Sequence, residues 1–113
     1  MGYSYHSALV FGWEAKELRE KMAEAEAEKR YDYSDKIYNQ LEKSDFILDI
    51  NEEFLYVGKI INDCDIDDYP DAISIDEFDL KKFAQEAYEQ VKVLKEYWEP
   101  TEPPKLIHFC YVR

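Results

Sequence analysis

The spacing of apolar residues changes period several times along the chain. From Tyr3 to Trp13 it repeats every two residues: Tyr3, Tyr5, Ser7, Leu9, Phe11 and Trp13 share one face, and Ser4, His6, Ala8, Val10 and Gly12 the other. Period two with aromatic enrichment predicts a strand, and the small residues opposite suit a central place in a sheet, with Gly12 marking the exit. Glu14 to Arg30 holds neither Gly nor Pro and is dense in Ala, Glu and Lys, all good helix formers. Ala15, Leu18, Met22 and Ala25 make its thin apolar stripe, and six Glu against five Lys or Arg predict a helix solvated over most of its circumference. A second helical pattern, Ile37, Tyr38 and Leu41, follows Ser34 as a candidate N-cap, and residues 31–34 are the candidate break between the two.

Alternation returns at Asp45 to Ile50, and Phe54 to Ile61 is rich in β-branched and aromatic residues. Asn51-Glu52-Glu53 between them has the length of a hairpin connection, which predicts two antiparallel strands. An acidic loop, Asn62 to Asp79, comes next. From Leu80 to Trp98 the helical period is the clearest in the chain: Leu80, Phe83, Ala84, Ala87, Val91, Leu94 and Trp98 lie on one face, with Asp76 or Asp79 placed to cap it. Pro100, Pro103 and Pro104 end that helix, and Leu106 to Val112 reads as a last strand, buried on both faces. The order β-α-(α)-β-β-α-β resembles the ferredoxin-like arrangement. That resemblance implies an α+β fold: a four-stranded antiparallel sheet with the helices on one face. Because that fold hosts many unrelated functions, it implies none of them.

Size and composition narrow the class. The 113 residues form one expected domain, 1–113, and 46% apolar content with 10 Tyr, 6 Phe and 2 Trp argues against disorder. The first residues carry no basic segment, and the apolar run Ala8 to Trp13 is too short for a secretory leader or a membrane span. A cytoplasmic protein is expected, with Cys64 and Cys110 as reduced thiols. A net charge of −12 is repelled by nucleic-acid backbones and anionic membranes, so neither is an expected direct partner; a basic protein is.

Candidate chemistry is sparse. Asp63-x-Asp65-x-Asp67 opens like a calcium loop, but the sixth and twelfth positions hold Asp68 and Ser74 where such a loop needs Gly and Glu. His6 and His108 fall on the first and last strands, which neighbour each other in a ferredoxin-like sheet. The two imidazoles would then approach each other or Cys110, a nucleophile–base pairing that burial of Cys110 would make inert. The two His and two Cys lack zinc-finger spacing, and there is no phosphate-binding Gly loop, GxSxG or HExxH. No cofactor and no catalytic residues are expected.

What remains is charge. The 18 residues from Asn62 to Asp79 carry eight carboxylates and no Lys or Arg, leaving a net of −4 for the other 95. Asp63, Asp65, Asp67, Asp68, Asp71, Asp76 and Glu77, with Tyr69, are the candidate partner-binding residues, and Ile73 and Phe78 are further apolar anchors. Carboxylates arrayed along a loop can stand in for phosphates in a Lys/Arg-lined groove. In size, acidity and lack of motifs the chain resembles two kinds of small inhibitor. One is the phage-encoded anti-defence proteins that block CRISPR nucleases or restriction enzymes, often as DNA mimics. The other is the bacterial immunity proteins that plug nuclease toxins. The resemblance implies a non-catalytic inhibitor of a nuclease or other nucleic-acid-binding protein. The alternatives are an adaptor for some basic protein, and a small enzyme or divalent-metal-binding domain.

Overall fold

The computed structural model describes residues 5–49, 53–65 and 74–112. β1 (Tyr5–Glu14) leads into α1 (Lys16–Ala27) and α2 (Tyr31–Leu41); β2 (Phe46–Leu48) and β3 (Leu55–Asp65) follow, then α3 (Glu77–Val91), a 3-10 turn (Lys92–Leu94) and β4 (Lys105–Val112). The strands lie in the order β2-β3-β1-β4, and every neighbouring pair is antiparallel. This is the ferredoxin-like order: β3 separates β1 from β2, and β1 separates β3 from β4.

The alternation in β1 sorts residues between two cores. On the helix side, Trp13, Leu55 and Val57 meet Leu18 and Met22 of α1, Ile37 and Leu41 of α2, and Ala87, Val91 and Leu94 beyond them. Six of the larger side chains here, Leu18, Ile37, Leu41, Leu55, Val57 and Leu94, are wholly enclosed. Burying each contributes roughly 1.5–3 kcal/mol. The stripe expected of α1 is the buried one.

The other face fills itself. Ala8 and Val10 are the small residues of β1, and they form a second cluster with Ile47 and Tyr111, against which Phe54, Ile60 and Phe109 pack. Tyr56 is registered opposite Glu14 and Phe109 opposite Ala8, six residues apart along β1, yet their rings stack at 4.1 Å. A flat sheet would hold them roughly 20 Å apart. The sheet must therefore be strongly coiled, concave on this side. Gly12 and Gly58 face each other across β1 and β3 within that curl, and Gly58 has φ +130, a backbone state that suits glycine. β1 thus runs through Gly12 rather than ending there.

Other boundaries differ from the pattern too. The helices part at residues 28–30, not 31–34. Lys29 sits at φ +60, Lys29 N–H donates to Glu26 O and Arg30 N–H to Ala25 O, the paired bonds of a Schellman ending. Ser34 is no N-cap: it lies inside α2, buried, its hydroxyl donating to Tyr31 O at 3.1 Å. β2 keeps only three residues, because Asp49 closes the connection instead; its buried carboxylate accepts from the N–H groups of Glu53 and Phe54. α3 stops at Val91, where Tyr97 and Trp98 turn back, both N–H groups donating to Leu94 O at 2.8 Å, to set Tyr97 on Tyr33 and Trp98 on Trp13.

Candidate functional site

Asn62 to Asp65 were expected to open the acidic loop, and they belong to β3. Ala8 pairs with Asp63 and His6 with Asp65, so the sheet register carries both carboxylates onto the concave face. Pairing with β1 overrides the low strand propensity of Asn and Asp. Asp63 is engaged there. Tyr111 Oη donates to its two oxygens at 2.7 and 2.8 Å, and His6 Nδ1 lies 3.5 Å from Oδ1. It acts as a hub joining β1, β3 and β4 as well as a negative charge.

At the other end of the stretch, Asp76 and Asp79 form a capping box. Asp76 Oδ1 accepts from Asp79 N–H at 2.8 Å, and Asp79 Oδ2 accepts from Asp76 N–H at 3.2 Å. These bonds satisfy amides at the positive end of α3 and leave each carboxyl group further acceptor capacity. Glu77 is exposed, and beside it Phe78 is 75% exposed, the most open of the large apolar side chains among the described residues. Asp67, Asp68, Tyr69 and Asp71, with Ile73, lie outside the described residues. The structure therefore places Asp63 and Asp65 at the end of β3, and Asp76 and Glu77 at the start of α3.

The imidazoles do not converge. His6 is on the concave face, its ring 5.4 Å from Tyr111. His108, paired with Leu9, is on the helix side, where its Nε2 lies 2.9 Å from Ser7 Oγ. Cys110 is exposed, not buried, and so are Leu106 and His108, because α3 packs over β3 and β1 and leaves the edge strand β4 open on that side. Cys64 and Cys110 flank Ser7 from either side. Two strand spacings put their Cα atoms roughly 9.5 Å apart, beyond disulfide reach. Among the described residues no group of three or more His, Cys, Asp or Glu is arranged to hold a metal ion, and no helix is long and apolar enough to cross a membrane.

Pattern reasoning missed a cavity of about 500 Å³ at the opposite end of the sheet, where the chain after α3 wraps past the ends of β1 and β4. Trp13, Trp98 and Tyr56 line it together with Glu14, Glu17, Glu99, Glu102 and Lys105. Trp13 Nε1 donates to Glu102 O at 2.7 Å, Trp98 Nε1 donates to Glu17 Oε2 at 3.3 Å, and the two indoles meet edge to face. Backbone hydrogen bonding at Glu17 and the Trp98 indole hold the Glu17 carboxyl below its ordinary 4.5. Burial, then the charge of Glu14, pushes the Tyr56 phenol above 10.0. In the sequence Trp98 reads as the last position on the apolar face of a helix that Pro100 ends, and nothing there announces that it folds back onto Trp13. No protein-family model, no curated protein and no solved structure matches this chain.

Proposed function

We propose that the chain is a non-catalytic, acidic protein-binding inhibitor that occludes a basic nucleic-acid-binding groove of a partner protein. The observation that carries this reading is Phe78, three-quarters exposed at the head of α3 and flanked by Asp76, Glu77 and Asp79. A protruding aromatic ring among carboxylates combines the two things a stable electrostatic contact requires. Charge steers the encounter, and a desolvated apolar anchor holds it. The capping box supports the reading further, because it fixes two of those carboxylates on a rigid helix end rather than on freely rotating side chains. The negative surface faces a basic protein, such as a nuclease, by the same electrostatics that turns nucleic acid away.

The test is capture of basic nucleic-acid enzymes at low salt and again at about 0.5 M salt, where screening acts over a few ångströms, followed by assay of each captured enzyme. Capture that weakens with salt and abolishes the enzyme's activity at one-to-one stoichiometry is expected. The triple variant Asp65→Lys, Asp67→Lys, Asp68→Lys and the separate Phe78→Ala should each lose it while keeping the fold. Unchanged affinity in the charge-reversed chain would remove Asp65, Asp67 and Asp68 from the mechanism, unchanged affinity in Phe78→Ala would remove the head of α3, and capture without inhibition would make the protein an adaptor.

A further inference from the structure

We propose that the cavity at the β1–β4 end of the sheet is a binding site for a monovalent organic cation: an alkylated ammonium or a guanidinium, free or borne on a peptide side chain. The site stands apart from the acidic surface. β1 runs from His6, beside Asp63, to Trp13 on the cavity wall, roughly 23 Å of strand.

Two independent properties of the walls select this class of ligand. The first is aromatic. Both indole N–H groups are already committed, Trp13 to a backbone oxygen and Trp98 to Glu17, so neither is left to hydrogen-bond an occupant. Trp13 is only 6% exposed and backs the wall, so it is the half-buried Trp98 ring that offers apolar surface and the negative face of a π system, which attracts cations. The edge-to-face contacts of Trp13 with Trp98 and with Tyr88 fix that surface in place before any ligand arrives. The second property is charge. Four glutamates face one lysine, so an anion is repelled, and a neutral apolar occupant would strip water from carboxylates without compensating them. Only an occupant that is both greasy and positive satisfies both walls. The volume, about 500 Å³, lies in the range of small-molecule sites. Hydrogen bonding at Glu17 favours its charged form, and burial at Tyr56 favours its neutral phenol. Lys105, exposed at the start of β4, is the one basic residue in this lining.

The chain's two tryptophans, Trp13 and Trp98, both line the cavity, so intrinsic fluorescence reads occupancy directly. The probes are choline and its neutral isostere 3,3-dimethylbutan-1-ol, with sodium chloride at matched ionic strength as the blank. Choline is expected to give a saturable change with a midpoint in the millimolar range, and the isostere to bind roughly tenfold more weakly or less. Glu14→Gln with Glu17→Gln should weaken choline by a similar factor, and Lys105→Met should strengthen it. A trimethyllysine peptide and free choline distinguish the sources: equal saturation points to a free cation, and clearly tighter peptide binding to a protein side chain. A response to choline no different from sodium chloride, or an isostere that binds as tightly as choline, overturns the proposal. Both of those measurements use the unaltered chain and stand even where a variant fails to fold.

Discussion

Replacing Gly58 by alanine tests the close approach of β1 and β3 where two glycines face each other. A Cβ built on Gly58 lies 2.7 Å from Gly12 Cα and 2.7 Å from Phe11 O, both backbone atoms that cannot rotate away. The substitution therefore forces β1 and β3 apart, at about 1–3 kcal/mol for overpacking. Holding alanine at φ +130 adds strain of about 1–3 kcal/mol, and the stiffer unfolded chain returns about 0.4–1 kcal/mol. The net loss is about 3 kcal/mol, against a total of about 5–15 kcal/mol for a domain of this kind. In urea, with a slope near 2 kcal/mol per molar, the unfolding midpoint should fall by about 1.5 M. Tryptophan fluorescence and far-UV circular dichroism both report it. Gly12→Ala should be as damaging, since its Cβ would sit 2.1 Å from Val57 O, whereas Glu20→Ala on the exposed face of α1 should shift the midpoint little. A Gly58→Ala midpoint within about 0.3 M of the parent would refute the close approach of these strands.

Two further outcomes follow from particular contacts. Tyr111→Phe removes both hydrogen bonds to the Asp63 carboxylate inside the concave cluster and should cost about 2 kcal/mol; a loss under about 0.5 kcal/mol by urea unfolding would show that Asp63 is not a structural hub. The raised Tyr56 phenol means the folded chain holds that proton more tightly than the unfolded one. Its stabilising contribution is therefore complete below pH 10.0 and lost as pH rises through the folded value. Unfolding measured between pH 9 and 11.5 should fall less steeply in Tyr56→Phe, and an unchanged slope would remove Tyr56 from the alkaline transition.

The architecture was legible because its signals are local. Period two in β1, the Ala15-Leu18-Met22-Ala25 stripe and the long apolar face of α3 each specify an element, and their order specifies the sheet. The failures arise where tertiary contact overrides local preference. Lys29 takes a left-handed position that glycine usually marks, so the helix break carries no residue signal. Asn62 to Asp65 look like loop until β1 is laid beside them. Leu106, His108 and Cys110 read as core because nothing in the strand itself says that α3 stops short of covering it. Of the candidate site, the charges and Phe78 were legible. That Asp63 is tied to Tyr111, 48 residues away, was not.

Among the described residues β1 is the first strand and an inner strand of the sheet, bonded on one side to β3 and on the other to β4. Its contacts reach far along the chain; Ser7 and His108, whose side chains meet diagonally across the β1–β4 pair, are 101 residues apart. During synthesis β1 leaves the ribosome with both edges open and waits first for β3 and then for β4. Until Lys105–Val112 emerges, one edge of an aromatic-rich strand stays a template for any other extended segment. Closing such long loops before their contacts reward them makes for slow folding. Cutting the chain before Lys105 would leave that template permanently exposed, so truncated products of this protein should precipitate by strand pairing rather than persist as soluble fragments.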